Sequence, residues 1–245
     1  MGIAAVLWDI DDTLFDYSSA ERSGILQHLT DEGLLGEFDS PEQALGLWSS
    51  DMGLVHQRFL SGELSFLEHR RERVRLFLSH IDRTVAGTRA ADAWFHGYIR
   101  CYEAHWSVFP DVLPVLDALQ SRCAHGLLSN SSTEHQRRKL ERLGLRRRFR
   151  SLVCSDDIGA AKPAREAFHA GCRALGHPPE ETVYVGDKLT TDALGARGAG
   201  LHAVWIDRPA GDPEPAPPGV HRIHTLADLP QVLDVIDFGA VPRIG

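Results

Sequence analysis

Residues 3–13 read Ile3-Ala4-Ala5-Val6-Leu7-Trp8-Asp9-Ile10-Asp11-Asp12-Thr13. An unbroken apolar run that ends in a polar cluster is the pattern of a strand buried on both faces, as in a parallel sheet covered by helices. Runs of the same kind return at 126–128, 152–154, 182–185 and 201–206, with helical patterns over 111–122, 133–143, 164–175 and 191–199 between them. Strand alternating with helix predicts right-handed β-α-β units and an α/β fold, a doubly wound parallel sheet. Gly144 and Gly176 follow two of the helical patterns as C-terminal caps, and Pro163-Ala164 opens a third. A short strand and helix over 221–235 follow a Pro-rich surface loop at 209–219.

One interval breaks the alternation. From about residue 17 to 107 the sequence shows helical patterns only, near 18–34, 40–60, 65–80 and 84–106. Two of these open on the S-x-x-[EQ] signature of a capping box, Ser40-Pro41-Glu42-Gln43 and Ser65-Phe66-Leu67-Glu68. The expected organisation is an α/β core of 1–16 and 108–245, interrupted by a helical module over 17–107.

Composition narrows the function. The 245 residues are 43% apolar and 24% charged, the balance of an ordinary folded chain long enough to bury a sizeable core. A net charge of −8 argues against a general nucleic-acid or anionic-membrane binder. No apolar run approaches the roughly 20 residues of a membrane span, and the acidic N-terminus does not resemble a signal peptide. The four cysteines, Cys101, Cys123, Cys154 and Cys172, form no C-x-x-C pair and suit a reduced, cytoplasmic protein. Of 26 basic residues only three are lysines, Lys139, Lys162 and Lys188, so a position that needs an ammonium stands out among them.

The chemistry-bearing residues fall at the ends of the expected strands, where parallel α/β sheets bind ligands. Asp9, Asp11 and Asp12 repel one another after the first strand, which a divalent cation would offset; an acidic turn capping a helix is the alternative. An EF-hand does not fit, since its glycine would fall on Leu14 and its last glutamate on Ala20. After the second strand comes Ser129-Asn130-Ser131-Ser132-Thr133, an anion site before a helix or a plain helix cap. After the third, Lys162-Pro163 places an ammonium on extended backbone. The fourth ends in Gly186-Asp187, with Asp192 five residues on as a second acid or a residue of a helix start.

The joint order D-x-D-x-T, S-N, K-P and G-D-x-x-x-x-D resembles the haloacid dehalogenase-like (HAD) hydrolase superfamily over essentially the whole chain. The 17–107 interval sits where class I members carry a helical cap, and Leu14-Phe15-Asp16-Tyr17 with the last spacing is most similar to its phosphatases, of the N-acylneuraminate-9-phosphatase-like or pyrimidine-nucleotidase-like groups. The resemblance implies that Asp9 is the nucleophile, Asp11 the general acid and base, and Thr13 the residue orienting their loop. It implies Mg²⁺ held by Asp9, the main-chain carbonyl of Asp11 and Asp187, with Asp192 outside them. It also implies that Ser129, the Asn130 backbone and Lys162 bind the phosphoryl oxygens. Asp12 departs from the glycine many members have, and Lys188 from a small polar residue, as an outward structural charge or a charge at the site's mouth.

The expectation is thus a Mg²⁺-dependent phosphatase of small phosphorylated metabolites, monomeric or homodimeric, with a mobile cap and no nucleic-acid or membrane partner. A phosphomutase of the same superfamily is one alternative. A dehalogenase is another, but members of that kind lack the carboxylate of Asp11. A phospho-accepting switch or non-catalytic binding protein on a similar fold is the third.

Overall fold

The structure, a computed structural model, describes residues 2–208 and 215–238. Positions 209–214 of the Pro-rich loop lie outside the described residues. The chain divides into two compact units, Met1–Asp16 with Ser107–Gly245, and Tyr17–Trp106.

Strand β1 (Ala5–Trp8) opens the first unit, fully buried as its apolar run requires. The second unit follows and is helical: α1 (Tyr17–Asp31), α2 (Pro41–Leu60), α3 (Phe66–Ser79) and α4 (Gly87–Ala104). Gly24 lets α1 approach α4, because a Cβ there would lie 2.5 Å from the Cα of Tyr102. Trp48 anchors the unit's interior, with ring centroids 5.0 Å from Phe77 and 4.8 Å from Tyr98. The buried Arg73 guanidinium stacks 3.5 Å over Trp48 and pairs with Glu21 at 2.9 Å, a buried charge that keeps its counter-ion. Ser65 and Glu68 form the full reciprocal capping box expected of α3. The α2 box is only half made: Ser40 accepts from the Gln43 amide, but the Gln43 side chain turns to Asp39, which offers it both an N–H and a carboxylate.

The first unit resumes with α5 (Val112–Leu119), β2 (Ala124–Ser129), α6 (Thr133–Arg142), β3 (Ser151–Cys154), the single turn α7 (Ser155–Ile158) and α8 (Arg165–Leu175). Then come β4 (Thr182–Gly186), a π-helical turn over Leu189–Leu194 leading into α9 (Gly195–Gly198), β5 (His202–Ile206), β6 (Val220–Ile223) and α10 (Leu229–Phe238). The six strands form one parallel sheet in the order β3-β2-β1-β4-β5-β6. This is the doubly wound α/β architecture expected from the alternating pattern. The order reverses at β1, so a crevice opens outside the carboxyl ends of β1 and β4. Their register sets Trp8 beside Val185, which places Asp9 next to Gly186.

Two helix starts differ from expectation. Ala164 is the N-cap of α8 and Pro163 precedes it, joined to Lys162 by a cis peptide bond, so Pro163 belongs to the loop and not to the helix. The other helix begins earlier than expected, at Leu189, and opens as a π-turn because the Lys188 carbonyl accepts from both Asp192 and Ala193; Asp192 stands in this first turn, as an acid at a helix start does. Among the described residues no helix is long and apolar enough to cross a membrane, and the four cysteines are free.

Candidate active site

Asp9 leaves β1 with its N–H donating to the Val185 carbonyl at 2.9 Å, so the sheet's pairing carries its carboxylate to the crevice. The hydroxyl of buried Thr13 donates to Asp9 Oδ2 at 3.4 Å and ties the following turn back to it. The turn closes with the Asp12 N–H on the Phe15 carbonyl at 2.7 Å, and Asp12 adopts a left-handed φ of +60°. Aspartate tolerates that region and glycine prefers it. Asp12→Gly is expected to preserve stability, and Asp12→Val to lose about 1–2 kcal/mol, measured by urea unfolding; equal midpoints for the two variants would contradict this.

Lys162 lies at the centre of the site, 6% exposed. Its Nζ donates to Asp9 Oδ1 at 2.5 Å and to the Tyr184 hydroxyl at 2.8 Å, and pairs with Asp192 Oδ1 at 2.8 Å. Asn130 fixes the lysine's backbone from both sides: its Nδ2 donates to the Lys162 carbonyl at 2.8 Å, and its Oδ1 accepts the Lys162 N–H at 2.7 Å. The Asn130 side chain is thereby committed to holding Lys162. Ser129, the last residue of β2, is buried and receives a hydrogen bond from Gln136 Nε2 at 3.1 Å.

Asp187 follows β4 beside Asp9. Oxygen atoms of Asp9, Asp187 and Asp192 lie within 4.8 Å of one another. Asp192 spends its second oxygen on the Lys188 N–H at 3.0 Å, while the Lys188 side chain is exposed. Gly186 makes room for this packing, since a Cβ would lie 2.6 Å from Asp192 Cγ. Gly186→Ala is therefore expected to displace Asp192 and cost about 1–3 kcal/mol of stability, as overpacking does; a urea midpoint equal to wild type would contradict the packing argument.

Asp9 and Asp192 share the Lys162 ammonium with Asp187 beside them, and the proton affinities of Asp9 and Asp187 show the imbalance of charge. Burial, together with the Asp192 and Asp11 charges, raises Asp9 to about 7 against the pull of Lys162. Burial and the charges of Asp9 and Asp192 raise Asp187 to about 8. Burial disfavours the Lys162 charge, but Asp9 and Asp192 outweigh it and push the lysine upward. Hard oxygen donors with an uncompensated negative charge fit a divalent cation of the magnesium type. Asp9, Asp187 and Asp192 are the carboxylates whose oxygens come close enough together to hold it, with Asp192 also engaged by Lys162 and Lys188.

Asp11 turns towards α6. Lys139 Nζ pairs with its Oδ1, and Gln136 Nε2 donates to its Oδ2 at 2.9 Å. Burial opposes its ionised form, but the Lys139 charge and these hydrogen bonds prevail and hold the carboxyl below its ordinary value. Gln136, Lys139 and Tyr184 were not singled out as site residues from the sequence. For Lys139 a signal existed: it is one of only three lysines, and all three fall in or beside this site.

A family model for haloacid dehalogenase-like hydrolases matches residues 3–200. The chain belongs to that family. Among curated relatives, it is 27% identical over 238 residues to the N-acylneuraminate-9-phosphatase of Rattus norvegicus, covering 96% of this chain and 95% of that protein. It is 32% identical over 212 residues to the glyceraldehyde 3-phosphate phosphatase of Methanopyrus kandleri, covering 84% of each. The fold is shared with the HAD-hydrolase YfnB of Bacillus subtilis, solved bound to magnesium, at a TM-score of 0.77 and 22% identity over 96% of this chain and all of that one.

Proposed function

We propose that this chain is a Mg²⁺-dependent phosphatase that hydrolyses small organic phosphate monoesters through a phosphoryl group carried on Asp9. The observation that carries the reading is Asp9 itself, a buried carboxylate at the switch point, 2.5 Å from the Lys162 ammonium, with a second acid two residues on. The names of the curated relatives, phosphatases of small phosphorylated compounds, agree with it.

A bound magnesium ion would neutralise the acidic cluster and draw charge from the phosphoryl oxygens. An Asp9 oxygen attacks phosphorus, forming a P–O bond to the enzyme as the bond to the leaving oxygen breaks. Asp11, in its protonated form, gives the leaving oxygen its proton. Asp11, now ionised, takes a proton from water; the water attacks phosphorus, the bond to Asp9 breaks and inorganic phosphate is released. The ionised state that Lys139 favours for Asp11 suits this second half. Ser129, the Asn130 main chain and Lys162 hold the equatorial oxygens, where charge grows in the transition state. Thr13 keeps Asp9 oriented, and Asp192 keeps Lys162 in place. We assign to the Tyr17–Trp106 unit the part of cap and substrate selector. A reducing, cytoplasmic setting and action as a monomer or homodimer complete the reading.

Magnesium-dependent phosphate release from p-nitrophenyl phosphate tests this function; a folded protein that releases none with or without the ion would refute it. A second expectation concerns stability. The raised affinities of Asp9 and Asp187 mean that the metal-free folded protein binds protons more tightly than the unfolded chain. That stabilisation is complete below the ordinary value of 3.8 and is lost as pH climbs through about 7 and about 8. Magnesium replaces those protons, so its gain in Tm is expected to be larger at about pH 9 than at about pH 6. Equal gains at both would contradict the cluster's electrostatics.

A further inference from the structure

One face of α6 grips both oxygens of the Asp11 carboxylate. Gln136 and Lys139 are three residues apart, so they share a helix face, and each is essentially without solvent exposure. The Gln136 amide nitrogen reaches two residues of the site, Asp11 Oδ2 at 2.9 Å and Ser129 Oγ at 3.1 Å. Its Oε1 is buried without a hydrogen-bond partner. Turning the amide over would set that oxygen against the Asp11 carboxylate, so the orientation is dictated by the site at the expense of the glutamine's own satisfaction. The Lys139 ammonium, besides pairing with Asp11 Oδ1, sits 4.2 Å from the centroid of Phe15, whose backbone closes the turn carrying Asp11.

We propose that Gln136 and Lys139 are positioning residues for the phosphatase reaction, fixing the Asp11 carboxylate relative to Ser129 so that it meets the leaving oxygen of a bound phosphate. The inference rests on the phosphatase reading above. Gln136 joins the serine that holds the phosphoryl group to the acid that must reach the adjacent oxygen. Lys139 anchors the acid's other oxygen from the same helix. Neither touches the reacting atoms; Lys139 acts through Asp11, and Gln136 through Asp11 and Ser129.

A pair of leaving groups isolates this role. Phenolate needs a proton as it departs, whereas 2,4-dinitrophenolate does not, and kcat/KM reports the steps through its departure. For Lys139→Met, loss of the ammonium charge alone would make Asp11 a readier proton donor and raise the ratio of kcat/KM on phenyl phosphate to that on 2,4-dinitrophenyl phosphate; displacement of the carboxyl is expected to dominate and lower it by about tenfold or more, and a rise would overturn the positioning role. Gln136→Leu is expected to lower the same ratio by a smaller factor, and Lys139→Arg, which keeps a charge for Asp11, to recover part of the loss. Thermal unfolding is followed for each variant, and if Lys139→Met does not fold the Gln136→Leu ratio decides. A parallel loss on both substrates, or no change on either, overturns the positioning role while leaving the phosphatase reading intact. A wild-type protein that turns over neither substrate overturns both.

Discussion

Asp9→Asn is expected to lower phosphatase turnover by at least about 10⁴-fold, because an amide cannot form the acyl phosphate on which both half-reactions of the proposed mechanism depend. The same substitution is expected to leave the metal-free protein at least as stable as wild type. Asp9 stands in a crowded acidic cluster, and its raised proton affinity, about 7, shows that its charge is disfavoured there near neutral pH. Removing that charge relieves Asp187 and Asp192, while Lys162 keeps Asp192 and Tyr184 as partners. Lost activity with an unchanged or higher Tm separates a nucleophile from a structural carboxylate. A variant with near-wild-type turnover would remove Asp9 from the reaction.

Lys162→Met is expected to act on both properties. A buried pair broken from one side leaves charge uncompensated, at a typical cost of about 3–5 kcal/mol. Here the ammonium is shared by Asp9, Asp192 and the Tyr184 hydroxyl. In the proposed reaction Lys162 is a fixed donor to the transferring phosphoryl group, and its loss is expected to cost about 10²–10³ in rate. Magnesium is expected to restore part of the stability, because it neutralises the same cluster, and none of the lost phosphoryl contact. Adding Asp192→Asn to Lys162→Met is expected to destabilise less than the sum of the two single changes, since the second removes a charge that the first stranded. Additive losses, followed by chemical denaturation, would show that the two residues are not coupled.

Much of this arrangement is legible in the sequence because a parallel sheet converts chain order into spatial order. The apolar runs mark the strands, and Asp9, Ser129 and Asp187 are found simply by reading where β1, β2 and β4 stop. What the strand ends do not reveal is which way a helical side chain points. Lys139 sits in a polar helix, Thr-Glu-His-Gln-Arg-Arg-Lys-Leu-Glu-Arg, and nothing in that run separates a solvated lysine from one buried against Asp11. Its rarity among 23 arginines was the available clue. Asn130 shows a different limit: its place was legible, but the use of its side chain on the Lys162 backbone depends on a loop closing 32 residues away. In the helical unit, Trp48 is interior and Arg58 pairs with Glu63 and Glu72, neither of which follows from helical spacing alone. Amphipathic period identifies a buried face; it does not identify which polar neighbour a long side chain finds.

The covalent step on Asp9 is the centre of this account. An acid quench of the magnesium-loaded enzyme during turnover, followed by borohydride reduction, converts an aspartyl phosphate to homoserine, which peptide mass spectrometry locates in the chain. The account predicts homoserine at position 9, and none there in Asp9→Asn or when substrate is omitted. Turnover without homoserine at position 9, or with the modification on another carboxylate, would contradict it.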